Sequence, residues 1–241
     1  MTTRKISFSI DEHYHVYNRG TDKRVIFQDD HDYRRFIALL YLCNGTSAID
    51  LYEHFQEGRT FLELYKINRG EKIVDIGAYC LMPNHFHLIL REAVEGGISL
   101  FMKKLGTSYA MYFNATNQRT GALFEGKFKA RHADRDEYLK YLFAYVHLNP
   151  VKLIDSKWNE KGIFDLEKTK EYLIEYPYSS YQDFIGKKRI EKSILSKKSF
   201  PGYFEKEQDF DEYITDWLTY SKHFTQEENK RKIPHMVFKS V

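Results

Sequence analysis

The run Ala78-Tyr79-Cys80-Leu81-Met82-Pro83-Asn84-His85-Phe86-His87-Leu88-Ile89-Leu90 constrains this chain more than any other stretch. It is apolar on both sides of Pro83-Asn84, so it reads as two strands, Lys72 to Met82 and His85 to Arg91, joined by a turn. Side chains alternate faces along a strand. Phe86, Leu88 and Leu90 therefore point to a core, while His85 and His87 share the other face. Two imidazoles side by side on one strand face can hold a divalent metal. The same pair also suits a solvated sheet face, so the metal reading needs a third ligand and a group to activate.

The segment Asp136 to Pro150 reads as a helix, with Asp134 or Asp136 at its start and Pro150 near its end. Tyr141, Tyr145 and Asn149 lie four apart and share a face. The amide oxygen of Asn149 can complete a site with His85 and His87, or Asn149 can simply cap the helix end. Tyr145 lies one turn from Asn149, and Tyr141 is the rival for its role. His147 is turned roughly 200° away from Tyr145 and reads as structural. A phenol with a pKa of about 10 is a weak nucleophile. Beside a cation it can attack a phosphodiester, conserve the bond energy in a phosphotyrosine and pass the strand on by reversal.

These residues carry a family resemblance. Tyr14-His15-Val16-Tyr17-Asn18-Arg19-Gly20, Leu81 to His87, Gly121 to Arg131 and Tyr145-Val146-His147-Leu148-Asn149-Pro150-Val151 occur in one order. Together they resemble the HUH nucleases with a single catalytic tyrosine, and most closely the REP-associated tyrosine transposases of the IS200-like group. The resemblance spans Tyr14 to Phe184. It implies a 5′-phosphotyrosine on Tyr145 and Mg²⁺ or Mn²⁺ held by His85, His87 and Asn149. It also implies a single-stranded DNA substrate beside a hairpin. A homodimer is compatible with it, because such enzymes can set the tyrosine helix of one subunit over the metal site of another. Two departures from the shortest members are an insertion around Asp50 to Lys72 and a tail after Gly186. A replication or conjugation nickase is a second reading, disfavoured by the Asn149 spacing. A third is a domesticated regulator that binds hairpins without cutting.

The order strand, helix, two strands, helix, strand, helix predicts an α+β fold. Its antiparallel sheet has helices on one face, in the split βαβ arrangement of ferredoxin-like and RRM-like cores, plus a C-terminal helical extension. The first strand is His13 to Arg19 and the first helix Asp29 to Leu42. Phe61 to Ile67 reads as a short strand or hairpin, Ile98 to Asn114 as a helix, and Leu123 to Arg131 as the fourth core strand. The expected units are a catalytic domain over 1–150, a helical extension over 151–186 and a lysine-rich tail over 187–241. The tail carries an amphipathic helix from Asp209 to Lys222.

A net charge of +3 over 241 residues permits nucleic-acid binding without demanding it. Lys103, Lys104, Arg119, Lys127, Lys129 and Arg131, with Arg19, form the candidate DNA-binding set. Lys127, Lys129 and Arg131 alternate as a stripe, and Phe124 and Phe128 are available for base stacking. Two cysteines without metal-like spacing, Cys43 and Cys80, fit a reducing cytoplasm. No secretory signal or membrane-spanning apolar run is apparent.

Overall fold

The computed structural model describes residues 7–48, 53–54 and 58–220. Outside the described residues lie the first six residues, parts of the insertion (49–52 and 55–57) and the end of the lysine-rich tail (221–241). Positions 221–222 of the expected amphipathic helix fall there too.

Four strands form the sheet: β1 (His13–Arg19), β2 (Val74–Met82), β3 (His85–Glu92) and β4 (Lys129–His132). Their order is β2-β3-β1-β4 and every pairing is antiparallel. Helix α1 (Asp30–Leu42) and a short α2 (Phe61–Leu64) connect β1 to β2. Helix α3 (Gly97–Thr116) connects β3 to β4. This is the expected α+β split βαβ core. The Asp29 side chain starts α1 by accepting from the Asp32 amide at 3.0 Å.

Phe86 meets Phe36 of α1 with ring centroids 4.9 Å apart, and Phe36 meets Tyr109 of α3 at 5.0 Å. The two crossover helices thus share the Phe86 face. The next helix, α4 (Asp136–Leu148), lies against the opposite face, the one that carries the histidines. With both faces covered, every residue of β2 is buried.

The chain beyond α4 packs back onto this core. It contains the short helix α5 (Trp158–Lys161), then α6 (Leu166–Glu175), the single turn α7 (Tyr181–Phe184) and α8 (Glu207–Tyr220). Residues 178–180 run along the outer edge of β2. The Leu81 amide donates to the Tyr178 carbonyl and the Ser180 amide to the Tyr79 carbonyl, both at 2.9 Å. That satisfies backbone groups that an open edge would leave for another chain. Gly77 sits at a register shift in β2, and the Phe200 ring occupies the space a Cβ would need, 2.7 Å away. Helix α8 buries Phe210, Ile214 and Leu218. Trp217 packs on Tyr141 and Phe210 on His147, with centroids 5.1 and 5.2 Å apart.

Three local expectations are corrected. Phe61 to Ile67 begins with a helical turn, not a strand, because the Thr60 amide and hydroxyl both donate to the Glu63 carboxylate, at 2.7 and 2.8 Å. The fourth strand starts only at Lys129. Before it, Gly126 takes a φ of 106°, its carbonyl accepts from the Asn18 amide at 3.1 Å, and Phe124 makes a lone bridge to Gly20. Lys127 therefore sits in a loop outside the strand stripe. Neither Asp134 nor Asp136 caps α4. The cap position is Arg135, and the Asp136 carboxylate accepts from the Tyr203 hydroxyl instead. Among the described residues, no helix is long and apolar enough to cross a membrane.

Candidate active site

The Pro83-Asn84 turn fixes the start of β3. The Pro83 carbonyl accepts from the amides of Ile26 and Phe27, at 2.8 and 3.1 Å. The Asn84 amide group donates to the Lys23 carbonyl at 3.1 Å, which turns its oxygen toward His85 Nδ1 at 2.6 Å. An amide oxygen only accepts, so His85 carries its proton on Nδ1 and keeps a lone pair on Nε2. His87 is fully buried, and its Nδ1 lies 2.9 Å from Nε2 of His15 on β1. Its own Nε2 is buried with no hydrogen-bond partner.

Burial pulls His85 and His15 down to about 3, aided by Arg19 and Lys152 at the first and by Arg131 at the second. Burial holds His87 well below the ordinary histidine value, with His15 and His85 pushing the same way. The imidazoles are therefore neutral, which is the form that ligates metal. An orphaned buried nitrogen beside a second free Nε2 fits a divalent cation.

Tyr145 projects from α4 onto this pair. Its ring stands edge-on to both His15 and His87, with centroids 5.4 Å away in each case. It is only 7% exposed, and burial pushes its hydroxyl well above the usual phenol range. Tyr141, one turn earlier, packs on Trp217. Asn149 is fully buried at the helix end. Its amide nitrogen donates to the Tyr145 carbonyl at 2.7 Å, and its Oδ1 is 3.4 Å from the Lys152 ammonium. Half of this amide therefore does the work of a cap, and its oxygen is turned to a cation. His147 is buried on another side of α4, donating from Nδ1 to the Phe143 carbonyl and accepting at Nε2 from the Ser180 hydroxyl.

The sequence leaves His15 open between the site and an exposed face, and it gives Tyr17 and Lys152 no role. His15 and Tyr17 lie against His87, with ring centroids at 5.1 and 5.9 Å. Lys152, in a 3-10 turn after α4, holds its ammonium 5.7 Å from the Tyr145 ring centroid. Burial draws that ammonium below the usual lysine range. The available signals were the His15/Tyr17 alternation and a basic residue just past Asn149-Pro150-Val151.

The basic set divides. Arg19 pairs with His85, Lys129 with Tyr17 and Arg131 with His15 in the sheet register, so these three lie on the histidine face. Arg19 Nε is buried without a partner. Lys103 and Lys127 line a groove of about 490 Å³ on the other side, with Phe86, Phe124 and Phe128. Lys104 and Arg119 are spent structurally. Lys104 donates to the Gly45 carbonyl at 2.6 Å, and Arg119 to Asn114 Oδ1 at 2.5 Å.

Elsewhere, Asp29, His31 and Asp32 converge closely enough to hold an ion. Their atoms are engaged: Asp29 caps α1, Asp32 accepts from the Gln28 amide and the Tyr112 hydroxyl, and His31 Nδ1 lies 2.9 Å from that hydroxyl. That cluster is a helix-start network. The histidine face, by contrast, sets neutral imidazoles against a phenol, with Arg19 in register with His85 and with Lys152 near the phenol ring, parts that suit an anionic phosphodiester.

No curated protein matches the chain in sequence. Among solved structures, a REP-associated tyrosine transposase bound to a REP hairpin is similar at 10% identity. The likeness covers 79% of this chain and 90% of that one, with a TM-score of 0.45. The family model described as "Transposase IS200 like" matches residues 11–149, more than half of the chain and all of the sheet, the histidine strand, Tyr145 and Asn149. The chain belongs to the IS200-like transposase family.

Proposed function

We propose that this chain is a metal-dependent strand transferase acting in the cytoplasm on single-stranded DNA beside a hairpin, with Tyr145 as nucleophile. The observation that carries the reading is the Tyr145 ring set edge-on to His87, whose buried Nε2 has no other partner. Membership of the transposase family supports it independently.

His85 and His87 would hold Mg²⁺ or Mn²⁺ through Nε2. Asn149 Oδ1 would join them, since its two lone pairs allow it to accept from Lys152 as well. The bound ion supplies Lewis-acid polarisation of a non-bridging phosphate oxygen. Tyr145 Oη attacks phosphorus and gives up its proton as the P–O3′ bond breaks. The departing 3′ oxygen takes up a proton, leaving a 5′-phosphotyrosine. Burial disfavours the phenolate, so Lys152 and Arg19 matter: both place positive charge where the new anion forms. Lys129 and Arg131, on the same face, carry the flanking phosphates, and the groove with Phe124 and Phe128 offers a stacking surface for a base.

The test is cleavage of labelled single-stranded hairpin DNA taken from the gene's flanks, with Mn²⁺ or EDTA, on a denaturing gel. A metal-dependent cut with a covalent protein–DNA band, lost in Tyr145→Phe and His87→Ala, is expected. An adduct that persists in Tyr145→Phe moves the nucleophile elsewhere, first to Tyr141. Tight binding without any cut favours the hairpin-binding regulator.

A further inference from the structure

Resting on the reading of His85 and His87 as metal ligands, we infer that His15 is a positioning residue that fixes the tautomer of His87. Its Nε2 accepts a hydrogen bond from His87 Nδ1 and leaves His87 Nε2 free for the ion.

The pair is 2.9 Å apart, nitrogen to nitrogen, so one ring donates and the other accepts. Two assignments are open by distance alone. If His15 donated, His87 would carry its proton on Nε2. That N–H is buried and faces no acceptor, and a cation cannot satisfy it. If His87 donates from Nδ1, the orphaned atom is a lone pair, which is what a cation needs.

The neighbouring ligand follows the same pattern by other means. His85 Nδ1 donates to the Asn84 oxygen, so its Nε2 is free too. Both rings then present Nε2, each held from behind through Nδ1. Histidine ligands are held this way by an acceptor on the far nitrogen, and loss of that acceptor typically weakens metal binding about 10–100-fold.

Position explains why His15 can serve. It lies on β1, beside β3, and its ring is nearly coplanar with that of His87, centroids 5.1 Å apart and planes 22° from parallel, as an in-plane hydrogen bond requires. It is also edge-on to Tyr145, so one side chain braces both the ligand and the tyrosine. No carboxylate takes this place. A neutral acceptor leaves the cation's charge to be balanced by substrate phosphate.

The experiment uses the full chain and Mn²⁺ alone, with free ion counted by electron paramagnetic resonance. His15→Phe keeps a flat ring without an acceptor, whereas His15→Gln restores an acceptor oxygen. The expected result is a 10–100-fold weaker Mn²⁺ affinity in His15→Phe, largely recovered in His15→Gln. An affinity in His15→Phe within twofold of wild type overturns the inference and leaves the ligand reading intact. A wild type that binds Mn²⁺ no better than His87→Ala sinks the ligand reading, and the inference with it.

Because a buried substitution can unfold the chain, the wild type also carries a test. Histidine ¹⁵N–¹H correlation spectra with Mg²⁺ should show a proton on His87 Nδ1 and none on His15 Nε2. A proton on His15 Nε2 overturns the assignment. So does a Mg²⁺-induced shift at His15 Nε2 as large as that at His87 Nε2, which would make His15 a ligand.

Discussion

Replacing Lys152 by methionine keeps the aliphatic stem and removes the charge beside the reaction centre. The ammonium lies 5.7 Å from the Tyr145 ring centroid. At an effective dielectric of about 20, a full unit charge at that separation interacts by about 3 kcal/mol. Negative charge develops at the phenol oxygen on the way to the transition state, so this figure sets the scale of the loss. It corresponds to a roughly 100-fold slower single-turnover cut. Stability should move the other way or stay put. Burial draws the Lys152 ammonium below its usual range, so the folded state bears a desolvation cost that methionine relieves. The assay is single-turnover formation of the covalent DNA adduct, with the thermal midpoint measured on the same preparation. A cut within threefold of wild type refutes the electrostatic role. A large fall in the midpoint would show that Lys152 is structural.

Three further outcomes follow from named contacts. Asn149→Ala removes a buried amide that donates to the Tyr145 carbonyl, so chemical denaturation should show a loss of about 1–2 kcal/mol, with Mn²⁺ affinity reduced as well. Asn149→Asp should be the less stable of the two yet keep the affinity, because it retains the oxygen. His147 is held neutral by burial, with its pKa down to about 3 against an ordinary 6.5. The unfolded chain binds the proton first, so stability falls as pH drops from about 6.5 towards 3, by on the order of 1 kcal/mol per unit for each such histidine. Urea midpoints at pH 7 and 5 should show that slope, and His147→Leu should lessen it by one histidine's share, with His15, His85 and His87 keeping theirs. Gly77→Ala drives a Cβ into the Phe200 ring and should cost about 1–3 kcal/mol by denaturant titration. No change there would mean that the C-terminal segment packs less closely than described.

The hairpin of β2 and β3 was legible because its apolar alternation breaks once, at Pro83-Asn84, and its two faces differ sharply in chemistry. That Tyr141, Tyr145 and Asn149 share a helix face was legible from their spacing, and the family motif singled out Tyr145 among them. His15 was not, because a single alternating strand does not reveal which face meets which neighbour. That depends on β1 lying between β3 and β4, a long-range fact. Lys152 was hidden for a similar reason: it follows Pro150, and only the 3-10 turn folds it back over Tyr145. Phe61 to Ile67 misled because so short an apolar-rich run does not tell a strand from a helical turn, although Thr60 and Glu63 already formed the start signal of a helix. The Lys127 stripe misled because periodicity two continued through Gly126, where the backbone had left the sheet.

Helix α8 packs along α4, with Trp217 on Tyr141 and Phe210 on His147. The front of the same helix presses Tyr145 onto His15 and His87 of its own chain. Exchanging α4 alone between two copies would strip its contacts with α8, whereas moving α4 and α8 together would keep them. Within one chain, Tyr145 already meets the two histidine rings. Mixing a chain crippled at Tyr145 with one crippled at His87 reads this out directly: no cutting means that each site is built from one chain, and restored cutting means that the tyrosine helix serves the histidines of another copy.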